Sequence, residues 1–133
     1  MGILDVPVHL RWGDMDVFEH INNVAYVGYL EDARVSLLAN AGFAPELDGI
    51  RQFVVRHEIE YLKPLTFRSE PVNMQVWIES IAKSSYVIGY CLVDENAEYM
   101  RAKTTLVCMS MQSGLPCRIP LQLKETYEKL MRD

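Results

Sequence analysis

No run of apolar residues in this chain approaches the roughly 18 that a helix needs to cross a bilayer, although half of its 133 residues are hydrophobic. No membrane partner is expected. Positive charge is also in deficit: the formal net charge is −5, and nucleic-acid binding usually requires a basic face, so no nucleic-acid partner is expected. The three cysteines, Cys91, Cys108 and Cys117, leave at least one unpaired and have no metal-ligand spacing. Cys91 and Cys108 sit in apolar runs and read as small core residues rather than thiol catalysts. His9, His20 and His57 lack metal spacing as well, so neither a metal nor a cofactor is expected. Ser36, Ser84 and Ser85 have no Gly-x-Ser-x-Gly elbow around them, which leaves a serine triad unsupported. Residues Met1 to Val8 show no basic region followed by an apolar stretch, so no secretory signal is read there. A reducing cytoplasm is the expected compartment. Repeats, linkers and low-complexity segments are missing, and the length suits one domain, residues 1–133, able to bury a core without staples.

What is present is an ordered succession of elements. Val6 to Trp12 alternates as a first strand closed by Gly13. Ile21 to Ala41 reads as one long helix ended by Gly42. Gly28, Asp32, Ser36 and Asn40 form its single polar stripe, so the helix is expected to be largely buried. Gly28 costs about 1 kcal/mol against Ala in a helix interior, and close approach of another backbone is its expected reason. Phe43 to Arg51 reads as a loop. Four strands follow, over 52–63, 71–82, 85–94 and 98–112, with turns at Asp94 to Ala97 and Ser113 to Pro116. Gly89 within a strand suggests a bulge or a tight fit against the helix. Pro120 to Arg132 reads as a terminal helix. Short connections between long strands imply antiparallel pairing, and the order strand, helix, run of strands implies α+β. One helix covers only part of such a sheet. Trp77, Ile78, Tyr86 and Tyr90 are therefore expected to need a second subunit as cover.

The densest chemistry lies in Arg11-Trp-Gly-Asp-Met-Asp-Val-Phe-Glu-His-Ile-Asn-Asn-Val-Ala-Tyr, with Leu30-Glu31-Asp32-Ala33-Arg34 beyond it. It places Asp14, Asp16, His20, Asn22 and Asn23 within ten residues at a strand-to-helix junction. A helix start presents unpaired N–H groups and favours developing negative charge. A carboxylate beside one is a plausible base or nucleophile facing an oxyanion site. The structural alternative is that the aspartates cap a turn. Asn22 and Asn23 are good N-cap residues, so at least one is expected to be structural. Asp14 reads as a loop anchor for Arg11 or Arg34. Glu31 and Arg34, three apart, can reach one another or the site. His57 lies on an otherwise apolar strand face and reads as a core or interface histidine.

This pattern resembles the hotdog-fold acyl-CoA thioesterases, the group that includes 4-hydroxybenzoyl-CoA thioesterase and the plant acyl-carrier-protein thioesterases. The resemblance rests on Arg11, Asp14, Asp16, His20-Ile21-Asn22-Asn23, Tyr26 and Glu31-Asp32-Ala33-Arg34, with weaker support from Tyr61-x-x-Pro64 and Ser84-Ser85. Ser69-Glu70 and Val17-Phe18-Glu19 depart from the family's usual residues, and the second departure bears on acyl specificity. The resemblance implies a central helix wrapped by a five-stranded antiparallel sheet, a short C-terminal helix and a homodimer or homotetramer. It also implies hydrolysis of acyl-CoA or acyl-carrier-protein thioesters in fatty acid metabolism, with coenzyme A as part of the substrate. Asp16 matches the family's catalytic carboxylate, as general base or nucleophile. Backbone N–H groups near Asn23 and Val24 would polarise the thioester carbonyl, and His20 would orient Asp16 or protonate the departing thiolate. Asn22, Tyr26 and Glu31 would support the site. Lys83, Ser84 and Ser85 are the weakest assignment, as coenzyme A contacts. The rival readings are a hotdog hydratase, whose Gly-Asp-x-Asn-Pro-like loop is not matched at Asp16-Val17-Phe18, and a non-catalytic acyl-CoA-binding domain.

Overall fold

The computed structural model describes residues 2–42, 49–95 and 97–132. Five strands form one antiparallel sheet in the order β1-β3-β4-β5-β2. They are β1 (Leu4–Val8), β2 (Ile50–Tyr61), β3 (Val72–Ile81), β4 (Ser85–Val93) and β5 (Glu98–Ser110). Helix α1 (Ala25–Asn40) follows β1, and α2 (Leu121–Lys129) follows β5. The architecture is α+β.

Because β1 and β2 lie at opposite edges, the chain between them must cross the sheet. Four strand gaps span about 19 Å, and the 16 residues of α1 cover about 24 Å. One helix therefore makes the crossing. It packs on β1 and β3 through Tyr26, Tyr29, Leu30, Ala33 and Leu37, all buried. The sheet answers with Val72, Met74, Val76 and Ile78 of β3 and Ile88, Tyr90 and Leu92 of β4, also buried. These positions alternate along their strands, so one apolar face of the sheet meets one apolar face of the helix. Leu30 and Leu37 are fully buried, each contributing roughly 1.5–3 kcal/mol.

Several expectations are corrected. Helix α1 starts at Ala25 rather than Ile21, because residues 21–24 spend their backbone groups elsewhere. Ile21 bridges Met15 and donates its N–H to the Leu65 carbonyl at 2.7 Å. The helix is buried on one side only: Val24, just before it, and Val27 and Val35 within it are exposed. Nothing among the described residues approaches within 4 Å of a Cβ built on Gly28, so no described backbone accounts for that glycine. At Gly89 a Cβ would come within 2.5 Å of the Trp77 ring, its partner across β3 and β4. The tight fit is therefore against an indole on the sheet's other face, and the helix plays no part in it. Ile78, Tyr86 and Tyr90 are buried by the chain itself, and Trp77 lies under the Arg132 guanidinium, 4.3 Å from its ring centroid. None of the four awaits a partner subunit.

The strands otherwise fall within a few residues of expectation. The expected 43–51 loop lies largely outside the described residues, and Ile50 and Arg51 already belong to β2. Helix α2 closes the far end of the helix-bearing face, where the Tyr127 ring sits 4.6 Å from that of Tyr86.

Candidate active site

The Arg11–Tyr26 segment folds as a tight loop whose hydrogen bonds are almost all local. Asp14 accepts from the Tyr29 hydroxyl at 2.9 Å and from Arg11 Nε at 3.3 Å, while its carbonyl accepts the Asn22 N–H at 2.9 Å. Asp14 is thus the loop anchor, with Arg11 as its ion pair. Burial and this hydrogen bond to Asp14 both push the Tyr29 phenol's pKa up, keeping it a neutral donor.

Asp16 sits half-buried at the mouth of a five-residue turn. Its N–H donates to the His20 carbonyl at 3.0 Å, and its carbonyl accepts from the Glu19 N–H at 3.0 Å. One carboxylate oxygen, Oδ1, accepts the Phe18 N–H at 2.9 Å. This is an Asx turn, the structural role Asp often plays, and it fixes the carboxylate's direction. Glu19 takes φ 62° to close the turn, a left-handed conformation uncommon for a side chain other than glycine. Val17, Phe18 and His20 are exposed around it.

Asn22 is the structural member of the asparagine pair. Its Oδ1 accepts the Val24 N–H and its carbonyl accepts the Ala25 N–H, both at 2.9 Å. The Val24 N–H is therefore spent inside the chain, a correction to its expected place in an oxyanion site. The Asn23 N–H makes no hydrogen bond among the described residues. The Asn23 carbonyl accepts from the Tyr61 hydroxyl of β2 at 2.8 Å. Tyr26 is buried and makes edge-on ring contacts with Tyr61 (5.2 Å) and Tyr29 (5.9 Å). Burial, with the neighbouring Tyr61 and Tyr99, pushes its phenol up to about 12. Three tyrosines thus clamp the loop from beneath: Tyr29 at Asp14, Tyr26 in the centre and Tyr61 at Asn23. Of these, Tyr29 escaped the sequence reading. The helical i, i+3 spacing of Tyr26 and Tyr29 was the available signal.

Asp16, His20, Asn22 and Asn23 share one loop, and Tyr26 lies in the first turn of the helix that follows it. Glu31 stands apart, with two-thirds of its side chain exposed and its carboxylate 3.9 Å from Arg34. Lys83, Ser84 and Ser85 occupy the β3–β4 turn. Tyr61 pairs with Met100 at one end of the sheet, while Ser85 pairs with Val107 toward the other. The seven steps of β5 between Met100 and Val107 cover about 23 Å. Lys83 lines a small cleft of about 310 Å³ with Arg118 and Lys124. A hollow of about 710 Å³ includes Glu58, Trp77, Glu79, Arg101 and Arg132 and none of the expected site residues. Cys91 and Cys108 are buried thiols, as expected. Burial and the neighbouring Glu98 carboxylate push Cys91 up to about 12, far from a reactive thiolate.

Comparison with known proteins places the chain in a family. The profile of the thioesterase-like superfamily matches residues 10–130. The long-chain acyl-CoA thioesterase FadM of Escherichia coli K12 is 22% identical over 133 residues, covering 97% of this chain and all of that one. A predicted thioesterase from Bacillus stearothermophilus superposes with a TM-score of 0.88 at 20% identity, over 98% of both chains. DHNA-CoA thioesterase from Staphylococcus aureus does so at 0.85 and 23%, over 98% of this chain and 91% of that one. With the family profile spanning the loop, both helices and strands β2 to β5, the chain belongs to the thioesterase-like superfamily.

Proposed function

We propose that this protein hydrolyses acyl-CoA thioesters to a free acid and coenzyme A, with Asp16 as the reacting carboxylate. The observation that carries the reading is the fixed carboxylate of Asp16 on the same loop as the unspent N–H of Asn23, just before α1. Hydrolysis adds water to the thioester carbonyl and breaks the C–S bond, so a base or nucleophile and a donor for the developing oxyanion are both required. Asp16 supplies the first. The Asn23 N–H, at the positive end of the helix dipole, supplies the second. His20 is exposed on the same turn, and in this reading it protonates the departing thiolate or orients Asp16. Asn22 and Tyr26 hold the loop that carries these groups. The chemistry invokes neither metal nor cofactor, and an acyl-carrier-protein thioester presents the same reacting group.

The working unit is proposed to be a homodimer joined along the β2 edges. Edge strand β2 is long and exposes Phe53 and Val55, an arrangement that invites pairing. Antiparallel pairing of two such edges sets the Tyr61 end of one beside the Ile50 end of the other. The partner's β3–β4 turn then lies at the same end of the assembly as Asp16. That geometry supports Lys83, Ser84 and Ser85 as coenzyme A contacts made across the dimer, and it covers the exposed side of α1 in the wrapped, hotdog manner.

The deciding experiment is Asp16→Asn assayed with a panel of acyl-CoAs and a thiol reagent, alongside a melting curve. The amide preserves size but neither takes a proton nor attacks. Turnover should fall by about 100-fold or more with the melting temperature nearly unchanged. Activity within a few-fold of the unsubstituted protein would remove Asp16 from the mechanism.

A further inference from the structure

The segment from Asp14 to Asn22 is a small hairpin. The Asp14 carbonyl accepts the Asn22 N–H at 2.9 Å, Met15 bridges Ile21, and the Asp16 N–H donates to the His20 carbonyl at 3.0 Å. Val17, Phe18 and Glu19 form the tip. Among the described residues, two hydrogen bonds fasten this hairpin to more distant parts of the chain. On the second arm, the Ile21 N–H reaches the Leu65 carbonyl at 2.7 Å. On the first arm, the Tyr29 hydroxyl donates to Asp14 Oδ2 at 2.9 Å. Arg11 Nε shares that oxygen at 3.3 Å, but the Arg11 side chain is 74% exposed, so its ion pair holds the arm weakly. Tyr29 is 1% exposed, and its ring packs edge-on against Tyr26. A buried donor with a fixed ring outweighs a mobile exposed one, and a bond to a carboxylate is among the stronger hydrogen bonds.

Tyr29 belongs to the second turn of α1, so it moves as one body with the start of that helix. Asp16 lies in the hairpin, two residues beyond Asp14, whereas the Asn23 N–H lies at the entrance to α1. The two groups assigned to the thioester thus sit on different pieces of structure, joined in the chain at Asn22. That residue is a hinge. Its N–H closes the hairpin on Asp14, while its side chain and carbonyl lead into the helix through Val24 and Ala25. A hinge on one arm leaves the other arm, with Asp14 and Asp16, able to shift. The Leu65 bond acts on the arm that already carries the hinge, and the one apolar residue of the first arm, Met15, is only half-buried. The bond from Tyr29 to Asp14 holds the second point. Catalytic groups need holding to within about 0.5 Å of their working geometry, so this point bears on rate.

We propose that Tyr29 is a positioning residue: through Asp14 it sets where the Asp16 carboxylate lies relative to the Asn23 N–H. It touches neither the substrate nor the reacting atoms. Its effect on rate rests on the hydrolysis reading above, while its hold on the hairpin is observable without any substrate.

The test is Tyr29→Phe, which keeps the ring and removes one hydroxyl, assayed with the acyl-CoA of the panel that the unsubstituted protein turns over fastest. A misplacement of about 1 Å costs up to about a hundredfold, so kcat should fall roughly ten- to a hundredfold. KM should change by less than about twofold, the split that marks a loss made in the transition state. In an Asp14→Ala background the bond is already gone, and Tyr29→Phe should then alter kcat by less than about twofold. Arg11→Gln should cost less than Tyr29→Phe. An unchanged kcat, with or without a lower melting temperature, overturns the assignment and leaves Tyr29 a structural tie. So does an undiminished loss in the Asp14→Ala background, or a larger loss from Arg11→Gln. Should Asp14→Ala not fold, or no acyl-CoA be hydrolysed, amide hydrogen exchange read by NMR decides. Tyr29→Phe should speed exchange of the Asn22 N–H several-fold and leave that of Leu37, in the buried part of α1, unaltered. That result keeps Tyr29 as the fastening of the hairpin even where the hydrolysis reading fails, and equal protection of Asn22 in the two proteins overturns it.

Discussion

The Tyr61 hydroxyl donates to the carbonyl oxygen of Asn23 at 2.8 Å, tying the last residue of β2 to the start of α1 across 38 positions of sequence. The tie holds a peptide group beside the N–H proposed to polarise the thioester. Tyr61 remains 47% exposed, so the bond adds modestly to stability while fixing where that peptide sits. Tyr61→Phe keeps the ring contact with Tyr26 and removes only the hydroxyl. A net hydrogen bond is worth about 1 kcal/mol, which corresponds to roughly fivefold in rate if it is expressed in the transition state. We expect kcat to fall three- to tenfold by this measure, with KM little changed and a melting temperature within a few degrees. A fall in melting temperature with unchanged kcat would confine Tyr61 to a structural tie.

Gly89 faces Trp77 across the β3–β4 pair, where a Cβ would lie 2.5 Å from the indole. The ring cannot move toward Arg132, whose guanidinium already stacks on it. Gly89→Ala should therefore destabilise the protein by about 1–3 kcal/mol through overpacking, despite alanine's better backbone entropy. Chemical denaturation measures this directly. Because Trp77 lies on the face opposite the helix, turnover at low temperature should be retained. A neutral or stabilising result would mean that the indole has room to yield.

The strands were legible because their signal is local: alternating apolar residues bounded by Asp94, Ala97, Ser113 and Gly114 leave little choice of register or ends. The helix start was not, because Ile21 and Val24 fit a helical spacing as well as any later pair. What decides the matter is a bond to Leu65, 44 positions away in sequence. Gly28 and Gly89 show the same limit, since a glycine announces that space matters without naming what occupies it. Asp14 was legible as an anchor because its ion-pair partner Arg11 lies only three positions away. The loss of the Val24 N–H to Asn22 was a choice among competing local hydrogen bonds, which residue types alone leave open.

His57 should make stability depend on pH in a defined direction. Its pKa is lowered in the folded state, chiefly by burial and then by Arg34, from an ordinary value of about 6.5. Above that value both folded and unfolded chains hold the ring neutral, and the shift has no effect. Below it the unfolded chain binds a proton that the folded chain resists, so stability is lost as pH falls from about 6.5 toward 5. The effect is modest because the side chain is partly exposed. His57→Gln should flatten the fall in melting temperature over that range relative to the unsubstituted protein. An identical slope in the two proteins would place the titrating group elsewhere.

The last expectation concerns the open edge of β2. Its outer backbone groups face no strand among the described residues, and Phe53 and Val55 are 60% and 52% exposed along it. Nature seldom leaves so long an edge bare, since it templates further pairing. Light scattering at low micromolar concentration should accordingly report at least twice the 15.3 kDa of one chain. Val55→Pro lies at the register shift between Val54 and Arg56, so it disturbs the existing β5 pairing least. It also removes an N–H and stiffens the edge. If the two edges pair, this variant should shift the population to monomer and lower turnover in proportion, because the proposed coenzyme A contacts come from the second copy. A fully active monomer, from either protein, would show that Asp16 and Asn23 need nothing from across that edge.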